Sequence, residues 1–111
     1  MNGPLAWALL ATAAALEVVW ALAMKESQGF TRLWPSVLTV AAAAVSFGLL
    51  SLALRELPVG TAYAAWVGLG ATGVVLAGIT LLGESASPLR IGCVLLILGG
   101  VVGLHLLESH P

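Results

Sequence analysis

Charge is scarce in this sequence: four basic and five acidic residues among 111, or 8%. A water-soluble domain of this size carries roughly a quarter charged residues, so a soluble globular class is excluded. The net charge of −1 leaves no basic footprint, and no nucleic-acid partner is expected. Cysteine occurs once, as Cys93 in an apolar run, and reads as a reduced packing residue. Neither a disulfide framework nor a zinc cluster can be assembled from it. An enzyme is the least favoured class, because the chain offers no nucleophile–base pair, no metal-ligand cluster and no extramembrane domain to hold a cofactor. No cofactor and no metal are expected.

What remains is apolar: 60% of the residues are hydrophobic and the mean hydropathy is +1.09. Four apolar segments, residues 4–24, 35–54, 58–83 and 88–107, each approach the ~20 residues that cross a bilayer. The alanine runs at 13–15 and 41–44 favour helix, and period-2 alternation is absent. Pro4, Pro35, Pro58 and Pro88 each stand near a segment start, where a missing N–H is harmless, and Ser87 is a suitable N-cap. The expected fold is all-α and integral to the membrane, a single four-helix bundle spanning residues 1–111 and surrounded by lipid. The first segment is not read as a cleaved leader at Ala11-Thr12-Ala13: the start has no basic side chain and the apolar run is too long. With both termini on one side, Arg55 faces Lys25, Arg32 and Arg90 on the other. That bias is small and compatible with insertion in both orientations.

Glu17 breaks the pattern. It lies thirteen positions past Pro4 and seven before Met24, and every other charged residue falls in or beside a connection or the tail. A charge at that depth costs a few kcal/mol on insertion scales, so it is a candidate site for protons or cations. The alternative is interhelical glue, or a side chain that reaches the nearer surface. Helical spacing puts Glu17 and Trp20 on one face, and gives Tyr63, Trp66 and Gly70 a shared face in the third segment. Ser46 lies mid-way along the second. Were these faces to meet, hydroxyl and indole donors would surround Glu17. Local readings stand beside this one. Tyr63 and Trp66 also suit an interfacial belt or packing, and Ser46 could bond back to its own helix. Trp7 and Trp34 read as belt anchors, and His105, near Glu108, as an interface group rather than a proton relay.

Glycine is the other pattern. Gly68 and Gly70 belong to a run of four glycines over 67–78 that permits bending or close backbone approach. Gly92 and Gly99, continued by Gly103, make a stripe of small residues suited to close helix contact, within the bundle or between copies. Self-association is favoured, because four short helices cannot both enclose a polar cavity and shield it from lipid. A dimer brings two carboxylates to one cavity, where protons and cations compete.

The strings Glu17-Val-Val-Trp-Ala21, Gly29-Phe-Thr-Arg32 and Leu57-Pro-Val-Gly-Thr-Ala-Tyr-Ala-Ala-Trp66 resemble the small multidrug resistance transporters over nearly the whole chain. Trp20, three residues after the glutamate, and Ser46 resemble the guanidinium-exporter branch rather than the polyaromatic-cation branch. The resemblance implies an antiparallel homodimer in the cell's inner membrane, joined through its fourth helices at Gly92 and Gly99. It implies proton-coupled export of guanidinium, with protons and substrate alternating on paired Glu17 residues. Trp20, Ser46, Tyr63 and Trp66 would orient that acid, and Gly68 and Gly70 would flex the third helix. A quaternary ammonium exporter of the same family and a non-transporting membrane subunit are the competing readings.

Overall fold

A computed structural model describes residues 3–109, so positions 1–2 and 110–111 of the expected 1–111 domain lie outside the described residues. It contains four helices: α1 Gly3–Glu26, α2 Leu33–Ala53, α3 Val59–Leu82 and α4 Pro88–Ser109. At 1.5 Å per residue they are about 32–36 Å long, enough to cross a hydrocarbon core of about 30 Å. All four are apolar enough to do so.

Proline and glycine set the boundaries. Pro58 is the N-cap of α3, and Pro88 is the first residue of α4. Pro35 is the third residue of α2, which therefore starts two residues before the expected boundary at 35. All three positions lie where the N–H has no intrahelical partner. Ser87 caps α4 by accepting the Arg90 N–H at 3.3 Å. Gly83 ends α3 in the left-handed region at φ 70°, and the next N–H, of Glu84, returns to the Gly78 carbonyl at 3.0 Å. That is the glycine-terminated stop expected of a helix followed by a short turn. The α1–α2 turn carries three successive positive φ values at Gln28, Gly29 and Phe30. Buried Ser27 holds it by donating to the Met24 carbonyl and accepting the Phe30 N–H.

The four helices expected from the sequence are present and lie side by side. α1 packs along both α2 and α3, α2 touches α3 narrowly, and α4 packs chiefly along α3, reaching α1 through one ring contact near its end. The result is a slab of 46 × 34 × 17 Å. Small residues account for the close contacts: Ala6, Ala13, Ala14, Ala53, Ala62 and Ala65 are all buried. In lipid, where burial against another helix removes no water, close van der Waals approach does the joining. α4 is left outside because only Val94 and Val101 of its spanning residues are buried. Leu89, Leu95, Leu96 and Leu107 face outward. Cys93 is also exposed, so within one subunit it is not the packing residue expected.

Candidate functional site

The site forms where α1, α2 and α3 meet. Its fixed part is a relay of two hydrogen bonds across three helices. The Trp66 indole Nε1–H on α3 donates to Ser46 Oγ on α2 at 3.1 Å, and Ser46 Oγ donates to the Ala13 carbonyl on α1 at 2.7 Å. Ser46 is completely buried and Trp66 nearly so. The hydroxyl thus bonds between helices instead of back to its own, unlike Thr39, Thr72 and Thr80, which each bond a carbonyl one turn earlier. Ala13 is one helical turn before Glu17, so the relay pins α1 just below the acid.

Glu17 turns toward α3. Its carboxyl group occupies the space where Gly70 would carry a side chain. Oε1 is buried and has no hydrogen-bond partner, and the same holds for Nε1 of Trp20. The shared face of Tyr63, Trp66 and Gly70 therefore does meet the Glu17 face, at Gly70. The surrounding donors do not engage the acid as the sequence suggested. Ser46 gives its proton to Ala13 and Trp66 gives its own to Ser46.

Aromatic rings continue the site along one side. Trp20 stacks on Phe47 with centroids 6.5 Å apart and 25° between planes. Phe47 lies 5.2 Å from Trp66, and Trp66 lies 5.7 Å from Tyr63. Tyr63 is more than half exposed, so it forms the open end of this ladder. Phe47 was missed by the sequence reading. It follows Ser46 directly, and adjacent helical residues point about 100° apart, so a search along one face passes over it.

The flexing residues have a different local character. α3 is unbroken through Gly68 and Gly70. A methyl on Gly68 would lie 2.7 Å from Val101 of α4, so this glycine lets α4 approach. Gly73 does the same for Val18 of α1. Of the two options the sequence left open, close approach is the one these contacts realise. Gly92, Gly99 and Gly103 meet nothing within 4 Å in one subunit.

The remaining candidates sit at the ends. Trp34 is 76% exposed at the start of α2, as an interfacial anchor should be. Trp7 meets His105 edge-to-face at 4.6 Å, and Thr61 Oγ1 donates to Glu108 Oε1 at 2.9 Å. Trp7, His105 and Glu108, with Glu56, line a groove at that end of the molecule. Trp7 is ten residues, about 15 Å, along α1 from Glu17, too far for His105 to hand it a proton directly. Among the described residues no group of His, Cys, Asp and Glu could hold a metal ion.

A model of the Small Multidrug Resistance protein family matches residues 5–97. Guanidinium exporters of Citrobacter freundii and Salmonella typhimurium are 55% identical to the chain over 102 residues, covering 92% of it and 97% of each relative. The guanidinium exporter of Escherichia coli (strain K12) is 53% identical over the same coverage. With four helices able to cross a membrane, the chain belongs to the Small Multidrug Resistance protein family, as a multi-pass membrane transporter and not an enzyme.

Proposed function

We propose that this protein exports guanidinium in exchange for protons, by alternating access, as an antiparallel homodimer in the inner membrane. The observation that carries the reading is a buried Glu17 Oε1 without a hydrogen-bond partner, with Trp20, one turn further along α1, also holding a buried N–H without one. A membrane carboxylate without a fixed partner can exchange a proton for a cation. Guanidinium is planar and rich in N–H donors, so one carboxylate holds it through two parallel hydrogen bonds. The likeness to guanidinium exporters favours this cation over others.

In the cycle we propose, outward-facing Glu17 residues bind protons and release guanidinium. The two halves of the dimer then exchange conformations and present the protonated site inside, where guanidinium displaces the protons. Tyr63, at the open end of the aromatic ladder, is more than half exposed, and a second copy would supply a wall there. The uncovered glycines of α4 offer a surface for it. Gly99→Trp should therefore convert the dimer to monomer in detergent, read by light scattering, and abolish exchange. An unchanged dimer would place the contact elsewhere.

The ladder Trp20–Phe47–Trp66–Tyr63 favours a second reading, since stacked rings also attract bulky quaternary ammonium ions. Proton-coupled currents across proteoliposomes separate the two. Guanidinium should give currents at least about tenfold above those of a bulky aromatic cation, the discrimination expected when charge-assisted hydrogen bonds worth about 1.5–3 kcal/mol are lost. Larger currents with the aromatic cation would reverse the assignment. No substrate-driven proton movement at all would leave a non-transporting subunit.

A further inference from the structure

We infer that Gly70 is a positioning residue for Glu17: α3 omits a side chain there so that the carboxyl group can lie against its backbone, and this seat fixes where proton or cation meets the acid. The inference rests on the reading of Glu17 as a shared proton and cation site. It goes beyond that reading by assigning what aims the acid.

A methyl on Gly70 would overlap Oε1 and Cδ of Glu17 and lie 2.8 Å from Oε2. The acid thus fills the volume that any other residue at position 70 would claim. The glycine is not required for its backbone freedom, because its φ is negative and α3 continues through it from Val59 to Leu82. Nor is it there to admit a neighbouring helix, the role Gly68 has towards Val101 and Gly73 towards Val18. What meets Gly70 is the tip of a flexible side chain, and one that bears the charge.

That difference predicts how the site fails. A branched apolar side chain rooted close to its backbone resists displacement, so a methyl on Gly73 strains the packing of α1 on α3. The Glu17 carboxyl can swing aside on its own torsions, so a methyl on Gly70 spares the fold and re-aims the acid. Binding geometry is intolerant of such a change, since a displacement of about 1 Å can cost up to about 100-fold.

The test is a double-substitution cycle on the full-length protein in detergent, read as proton release on adding guanidinium. Gly70→Ala should lower apparent guanidinium affinity about tenfold or more in the wild-type background. Glu17→Asp shortens the side chain by one methylene and withdraws it from the seat. In that background Gly70→Ala should cost less than about twofold, the non-additivity expected of groups in contact. An equal loss in both backgrounds overturns the inference, because Gly70 would then act through the helix and not through the acid; an undiminished Gly70→Ala overturns it too. Where Glu17→Asp binds too weakly to read, modification of Glu17 by a hydrophobic carbodiimide decides. Its rate should change several-fold in Gly70→Ala and hold steady in Gly48→Ala, whose methyl would meet nothing within 4 Å, and a rate unchanged in Gly70→Ala overturns the seat. Absence of guanidinium-driven proton release in the wild type would remove the transport reading instead, while the carbodiimide comparison would still report on the seat.

Discussion

Replacing Glu17 with Gln should reduce guanidinium–proton exchange to the level of empty vesicles while leaving the protein folded and assembled. The substitution keeps the shape of the side chain, so the contact with Gly70 survives. It removes the negative charge and with it both ligands, because an amide neither binds a proton at ordinary pH nor pairs with a cation. Affinity for guanidinium should fall by at least about 10- to 100-fold, the equivalent of the 1.5–3 kcal/mol carried by a charge-assisted pair. Exchange should fall further still, since among the described residues every other acid lies at a helix end or in a turn. Stability should hold or rise, because an ionised group at mid-membrane costs roughly 2.5–3.5 kcal/mol on insertion scales and the amide avoids that. Two measurements check the prediction: solid-supported membrane currents, and proton release into weakly buffered detergent solution on adding guanidinium. Retained pH-driven guanidinium transport by the variant would refute the role given to Glu17.

Ser46→Ala should damage both the fold and the site. Ser46 Oγ accepts from Trp66 and donates to Ala13, so one substitution deletes two bonds that tie three helices. The Trp66 N–H is then left buried without a partner, at a penalty of about 1–3 kcal/mol. Interhelical hydrogen bonds in membranes average nearer 0.6 kcal/mol, since the separated helices find other partners. Balancing the two figures, we expect a loss of about 1–2 kcal/mol in resistance to denaturation. The functional loss should exceed the stability loss. Trp66 touches Phe47 and Tyr63, and Phe47 touches Trp20, so a loosened Trp66 unsettles the whole ladder beside the acid. Exchange should drop about tenfold or more, consistent with misplacement of the order of 1 Å. Thr39→Val is the matched control: its hydroxyl bonds only to the Pro35 carbonyl of its own helix, and its loss should be nearly neutral. Equal effects of the two substitutions would show that the relay across the helices contributes nothing beyond a local bond.

Much of the site could be read before any coordinates. Glu17 stood out because a single charge inside the apolar run of residues 4–24 is costly. Trp20, Tyr63, Trp66 and Gly70 came from helical spacing, and Gly70 does meet Glu17 of α1. Their partners were not legible. A bond to its own helix is always available to a helical serine, so spacing alone does not separate that bond of Ser46 from one between helices. The structure uses Ser46 between helices. Phe47 went unnoticed beside it, and the donors expected around Glu17 are engaged elsewhere.

The sequence by itself determined that four apolar helices cross a membrane, where they begin and end to within two residues, and how deep the lone acid lies. Each of these follows from hydropathy, proline and glycine along a single stretch of chain. Only the tertiary structure decided that α4 stands outside α3, that Ser46 reaches the Ala13 carbonyl and that Glu17 rests in the space left by Gly70. The physical reason is that helices apolar all round have no wet face to fix their rotation. In lipid their orientation is set by close packing of small residues and by a few hydrogen bonds between helices, and those belong to the assembled protein alone.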